Sequence, residues 1–177
     1  MYEVKLDCCR YCITMAVPVR SVGRFLPNST ALFLCDMQVL RVHYISTRPF
    51  EIISQVKFRP SISHFDEVVS NSSRVLEAAK IMSLPCLATE QYPKGLGPTV
   101  EELGLTKHSI TPFPKTCFTM IIPELMEALK AEQEETKSVI LCGIETHACI
   151  HHTAIDLIER GIEVWLAMTV SSNEKIM

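Results

Sequence analysis

Short apolar runs that alternate with stretches of helical spacing constrain this chain more than any other feature. Ala31-Leu-Phe-Leu-Cys35, Pro85-Cys-Leu-Ala-Thr89, Ser138-Val-Ile-Leu-Cys142 and Ile162-Glu-Val-Trp-Leu-Ala-Met168 have the length and hydrophobicity of buried strands. Between the first two, Ser61 to Met82 carries Ile62, Phe65, Val68, Val69, Val75, Leu76 and Ala79 near helical spacing, and Ser83-Leu-Pro85 ends it. Ile121 to Glu134 reads as a second helix with Pro123 near its start, and 147–160 as a third that stops at Gly161. Phe113-Pro-Lys-Thr116 reads as a stub of strand, and Glu90 to Pro98, rich in Pro and Gly, as a long loop. Strands alternating with helices predict an α/β fold, a three-layer Rossmann-like parallel sheet with helices on both faces. Residues 1–28 lack clear periodicity and read as an irregular extension ahead of a domain over 29–177.

At 177 residues the chain fits one domain able to bury a real core. A net charge of −3 and the lack of a polybasic run give no reason to expect nucleic acid or an anionic membrane as partner. No apolar segment reaches the ~18–20 residues of a membrane span. The eight cysteines lack the spacing of a disulfide framework, and Cys35, Cys86, Cys142 and Cys149 lie in or beside strand-like runs. That pattern predicts a reducing, intracellular setting, with the cytoplasm as first expectation. The run Tyr11 to Val19 is short, follows Glu3 and Asp7, and reads as no signal peptide.

In parallel sheets the ligand crevice lies outside the carboxyl ends of the strands. Asp36, Glu90 and Cys149 each fall at or just past such an end. Cys149 also falls in the first turn of a helix, where unsatisfied N–H groups and the positive dipole end favour a thiolate; Thr146 is the candidate N-cap. Taken singly, each residue has a plainer role. Cys149 fits core filler as well as a nucleophile, Asp36 a turn residue as well as a base, and Lys115 a snorkelling lysine as well as a catalytic cation.

Their order decides more than any one of them. Asp36-x-Gln38, then Lys115, then Gly143-Ile-Glu-Thr-x-x-Cys149 resembles the isochorismatase-like cysteine hydrolases. The likeness runs from about Ser29 to Gln38 and from Lys57 to about Val164. Thr89-Glu-Gln-Tyr-Pro-Lys-Gly-Leu-Gly97 and Leu141-Cys-Gly-Ile-Glu-Thr-His-Ala-Cys149 carry it most specifically. The resemblance implies a Cys149–Asp36–Lys115 triad: a thiol that attacks an amide or related carbonyl, a carboxylate that moves its proton, and a lysine that orients and stabilises. It implies a non-proline cis peptide at Ile144–Glu145, and an oxyanion hole from the N–H groups of Glu145 and Cys149. Gln38, Glu90, Gln91, Tyr92, Phe118 and His147 become the expected substrate pocket. Relatives oligomerise, which makes a homo-oligomer the family's form, and the family permits cytoplasm, nucleus or mitochondrion.

No metal and no other cofactor is expected. Nicotinamidase-like relatives place an Asp-x-His metal motif where this chain reads Glu90-Gln-Tyr-Pro93. Cys8-Cys-Arg-Tyr-Cys12 lacks the second pair of a zinc site, and His147 and His151 lack the intervening Glu of a zincin. Three features depart from the family pattern: the 18 residues Val39 to Val56 between Gln38 and Lys57, the amino end, and a stop soon after the last strand. They predict an interrupted domain lacking the final helix and strand, with Ile162 to Met168 left as an apolar edge. The competing reading is therefore a splice-type variant, a truncated isoform that acts as a binding domain or has no activity.

Overall fold

A computed structural model describes residues 26–38 and 64–167. The expectations for the amino extension, for the insert at 39–56 and for the tail from Met168 lie outside these residues. The elements are β1 (Thr30–Cys35), α1 (Phe65–Ile81), β2 (Cys86–Gln91), α2 (Pro93–Leu96), β3 (Phe113–Lys115), α3 (Pro123–Glu132), β4 (Ser138–Gly143), α4 (His151–Glu159) and β5 (Glu163–Leu166). All four strand pairings are parallel, in the order β3-β2-β1-β4-β5. The predicted parallel α/β sheet is thus present.

Burial explains why β1 must be central. All six of its residues are buried, because alternate side chains serve opposite faces. Leu32 and Leu34 join Cys86, Ala88 and Cys142 under Val68, Val69, Leu76 and Ala79 of α1. Ala31, Phe33 and Cys35 join Leu87, Val139 and Leu141 under Leu125 and Leu129 of α3 and Leu157 of α4. Two apolar clusters on the two faces of one sheet make the three layers. At one margin β5 pairs, among the described residues, with β4 alone, and Leu166 stands about half exposed.

Local chemistry shifts several boundaries. Strand β2 runs two residues past Thr89 because Gln91 pairs with Lys115 of β3. The expected loop at 90–98 contains the short helix α2, opened by Pro93 after a left-handed Tyr92 (φ 37°) and closed at Gly97. Helix α1 starts at Phe65, after a left-handed His64. The third predicted helix opens on a wider turn over Thr146–Ile150, in which the Ile150 N–H reaches back five residues to the Glu145 carbonyl at 3.2 Å. Thr146 lies inside that turn and does not cap it; Glu145 holds the cap position without a side-chain bond.

On α1, Ser72 is fully buried, and its Oγ has no hydrogen-bond partner among the described residues. Removing such a group relieves an unrepaid desolvation cost. Ser72→Ala is expected to raise the melting temperature by about 2–4 °C, the equivalent of about 1 kcal/mol. Thermal unfolding of the two proteins checks this; an equal or lower melting temperature shows that the hydroxyl contributes.

Candidate active site

The parallel register brings three strand ends together. Cys35 pairs with Thr89 on one side and with Gly143 on the other, so Asp36 leaves β1 between β2 and β4. Asp36 adopts a left-handed conformation (φ 50°), which Asp tolerates better than most residues. Thr89 Oγ1 donates to its Oδ1 at 2.8 Å. Lys115 Nζ donates to its Oδ2 at 2.7 Å.

Lys115 comes from β3, two strands away, and its side chain is wholly buried. Its ammonium also reaches Gln91 Oε1 at 2.7 Å, the Phe118 carbonyl at 3.0 Å and the Cys117 carbonyl at 3.1 Å. Four acceptors around one ammonium repay its desolvation and tie the 116–118 turn to the end of β1.

Cys149 is buried in the wide turn ahead of α4. Its Sγ, Cys35 Sγ and a carboxylate oxygen of Asp36 all lie within 4.8 Å of one another. The Thr153 hydroxyl donates to the Cys149 carbonyl at 2.6 Å and accepts the Met120 N–H at 2.9 Å, so the turn is pinned to the segment that follows β3. The peptide between Ile144 and Glu145 is cis, as the family pattern implies.

Two neighbouring thiols differ in acidity here. A hydrogen bond from Cys35 pulls the Cys149 thiol below its ordinary range; burial and the adjacent Asp36 act against it, and the Lys115 charge acts with it. Burial, then the bond to Cys149 and the Asp36 charge, push Cys35 well up. Cys86 and Cys142, on the other face of the sheet, are pushed up to about 11 and about 12 by burial. One buried thiol of the four among the described residues is thereby set apart.

The remaining predicted pocket residues divide into two groups. Gln38 is buried and spends its amide on backbone: Oε1 accepts the Gln91 N–H at 2.7 Å, and Nε2 donates to the Gln91 and Gly97 carbonyls. Glu90 Oε1 accepts the Thr99 N–H at 2.7 Å and its hydroxyl at 2.8 Å. These two and Gln91 hold the loop that borders the site. Tyr92, Phe118 and His147 are exposed; Phe118 lies 5.3 Å from the His152 ring, and His147 stands 3.6 Å from Glu145. Thr89 and Cys35 escaped the sequence reading: Cys35 precedes Asp36 directly, whereas Thr89 reaches the site only through its register with Cys35. As cation ligands, Cys35, Asp36 and Cys149 are opposed by the Lys115 ammonium on the same carboxylate.

A parallel α/β sheet with a thiol, a carboxylate and a buried ammonium at its strand ends defines a class of cysteine-containing hydrolase folds. Comparisons with known proteins place the chain within that class. Residues 30–170 match the isochorismatase domain. Isochorismatase domain-containing protein 2A of Mus musculus is 45% identical over 159 residues, which cover 90% of this chain and 67% of the mouse protein. Isochorismatase domain-containing protein 1 of Danio rerio is 38% identical over 99% of this chain, which spans only 56% of that relative. Among solved structures, the MAR1 ribonuclease of Caenorhabditis elegans is 38% identical with a TM-score of 0.63, over 81% of this chain and 65% of that one. The YcaC gene product of Escherichia coli, described as an octameric hydrolase of unknown specificity, shares the fold at 23% identity and a TM-score of 0.62, over 86% of this chain and 68% of that one. The chain belongs to the isochorismatase-like hydrolase family.

Proposed function

We propose that this chain is a cysteine hydrolase of small amides or related C–N substrates. The single observation that supports this most is the Cys149 thiol beside Asp36, a carboxylate held at 2.7 Å by a buried lysine. In this reading Asp36 accepts the Cys149 proton and the thiolate attacks the carbonyl carbon. The N–H groups of Glu145 and Cys149 take the developing oxyanion. Asp36 then passes the proton to the leaving amine, which departs as the thioester forms. Water attacks the thioester while Asp36 takes its proton, and the acid leaves as the thiol is restored. Lys115 keeps the carboxylate in place and favours the thiolate. Gln38, Glu90 and Gln91 shape the border of the substrate site, and Tyr92, Phe118 and His147 supply its outer contacts.

The ribonuclease description belongs to the worm protein. Here the net charge of −3 supplies no general field for a polyanion. The test has two parts. Alkylation of native protein by iodoacetamide, followed by peptide mass spectrometry from about pH 5 to 9, is expected to label Cys149 first, with a midpoint below the ~8.5 of a free thiol. Cys86 and Cys142 should stay unlabelled. A panel of small primary amides, with an RNA oligonucleotide beside them, is expected to yield turnover that Cys149→Ala abolishes. Labelling of all cysteines alike, or turnover that survives Cys149→Ala, would sink the proposal. A chain that binds an amide without hydrolysing it supports the binding-domain alternative.

A further inference from the structure

The hydrolytic cycle leaves one buried thiol beside the nucleophile without a task. Cys35 is fully buried at the end of β1, and its Sγ lies 3.4 Å from Asp36 Oδ2. Its Sγ lies within 4.8 Å of Cys149 Sγ. Both belong to the apolar cluster under α3 and α4, whereas Cys86 and Cys142 belong to the cluster under α1 on the opposite face. No other buried thiol among the described residues shares their side of the sheet.

We propose that Cys35 is a resolving cysteine, which captures oxidised Cys149 as a reversible disulfide and so protects the nucleophile from permanent oxidation. The proposal rests on Cys149 being the reactive thiol of the hydrolase reading. The oxidant is a hydroperoxide. The Cys149 thiolate attacks its distal oxygen, the O–O bond breaks, and sulfur gives up two electrons to become a sulfenic acid as hydroxide or alkoxide leaves. Cys35 then passes its proton to Asp36, and its sulfur attacks the sulfenic sulfur. The S–O bond breaks, and hydroxide takes the proton from Asp36 and departs as water.

Closing the sulfurs to the ~2.05 Å of a disulfide asks for a shift below about 3 Å, within the reach of a Cys149 side-chain rotation with adjustment of its turn. That turn carries an i→i+5 bond and not the tighter α ladder, a geometry that recurs at functional positions. The acidity of the pair fits the division of labour: the less deeply buried thiol is the one drawn down, and the inner one is held protonated until Cys149 is oxidised.

The experiment treats the full chain with a small excess of hydrogen peroxide, blocks free thiols, and maps disulfides by non-reducing peptide mass spectrometry. The expected product is a Cys35–Cys149 cross-linked peptide, with iodoacetamide labelling of Cys149 lost and then regained on adding dithiothreitol. In Cys35→Ser and in Cys35→Ala the cross-link is absent, and recovery of labelling falls at least about fivefold as Cys149 proceeds to sulfinic acid. Equal recovery in wild type and both variants overturns the proposal, as does sulfinic Cys149 without the cross-link in wild type. Labelling of the untreated proteins separates the two readings. If native Cys149 labels selectively and no cross-link forms, only the resolving role fails; if it never labels selectively, the hydrolase reading fails with it.

Discussion

Replacing Lys115 by methionine is expected to lower stability by about 3–5 kcal/mol, because it strands a buried carboxylate without its cation. Asp36 is nearly inaccessible, and its Oδ2 faces the ammonium at 2.7 Å. The same change leaves Gln91 Oε1 and the Cys117 and Phe118 carbonyls without their donor. Against the ~5–15 kcal/mol that holds most domains together, this is a large share. The double variant Asp36→Asn with Lys115→Met should regain much of the loss, since charge is then removed from both partners. Chemical denaturation of the wild type, both single variants and the double measures it. A Lys115→Met protein as stable as wild type would mean that the pair contributes little. The variant should also move the alkylation midpoint of Cys149 upward, because the lysine charge helps hold that thiol down.

Asp36→Asn is expected to split two properties that a simple loss of structure would move together. Its charge and its hydrogen bond both push the pKa of Cys149 upward, so their removal should favour the thiolate and carry the alkylation midpoint to lower pH. Turnover should fall by about 10²–10⁴-fold, the usual contribution of a positioned base and acid. A more nucleophilic cysteine in a slower enzyme identifies Asp36 as the proton carrier. If alkylation and turnover fall in parallel, the carboxylate is only a structural support.

The layers of the fold were legible because β1 and β4 are unbroken apolar runs and α1 keeps its apolar spacing over 17 residues. The wide turn before α4 was not, since it depends on one carbonyl, that of Glu145, which accepts the N–H groups of both Ala148 and Ile150. Periodicity records side-chain faces and carries no trace of such a bond. Likewise α2 hides within a Pro- and Gly-rich stretch that composition marks as loop. At the site, Asp36, Lys115 and Cys149 were picked out by their order along the chain. Their meeting depends on strand order, because β1 sits between β2 and β4 while β3 lies beyond β2. Cys35 looked like the last residue of a buried strand, which it is; its nearness to Cys149 is set by register alone. Gln38 and Glu90, expected as pocket residues, bond the Gln91 N–H and Thr99, contacts that short-range sequence pattern does not reveal.

Gly143 ends β4 in a conformation rare for other residues (φ 142°), and a Cβ there would fall 2.2 Å from the Cys35 carbonyl oxygen. The Ile144 N–H bonds that same carbonyl at 3.1 Å. The strand that leads to Asp36 and the strand that leads to Cys149 therefore touch backbone to backbone, with no side chain between them to enlarge or trim. Mutational drift has little purchase on such a seam. Under the proposed function, a protein engineer seeking a roomier site should begin at the exposed Tyr92 and Phe118 and leave the strand ends alone.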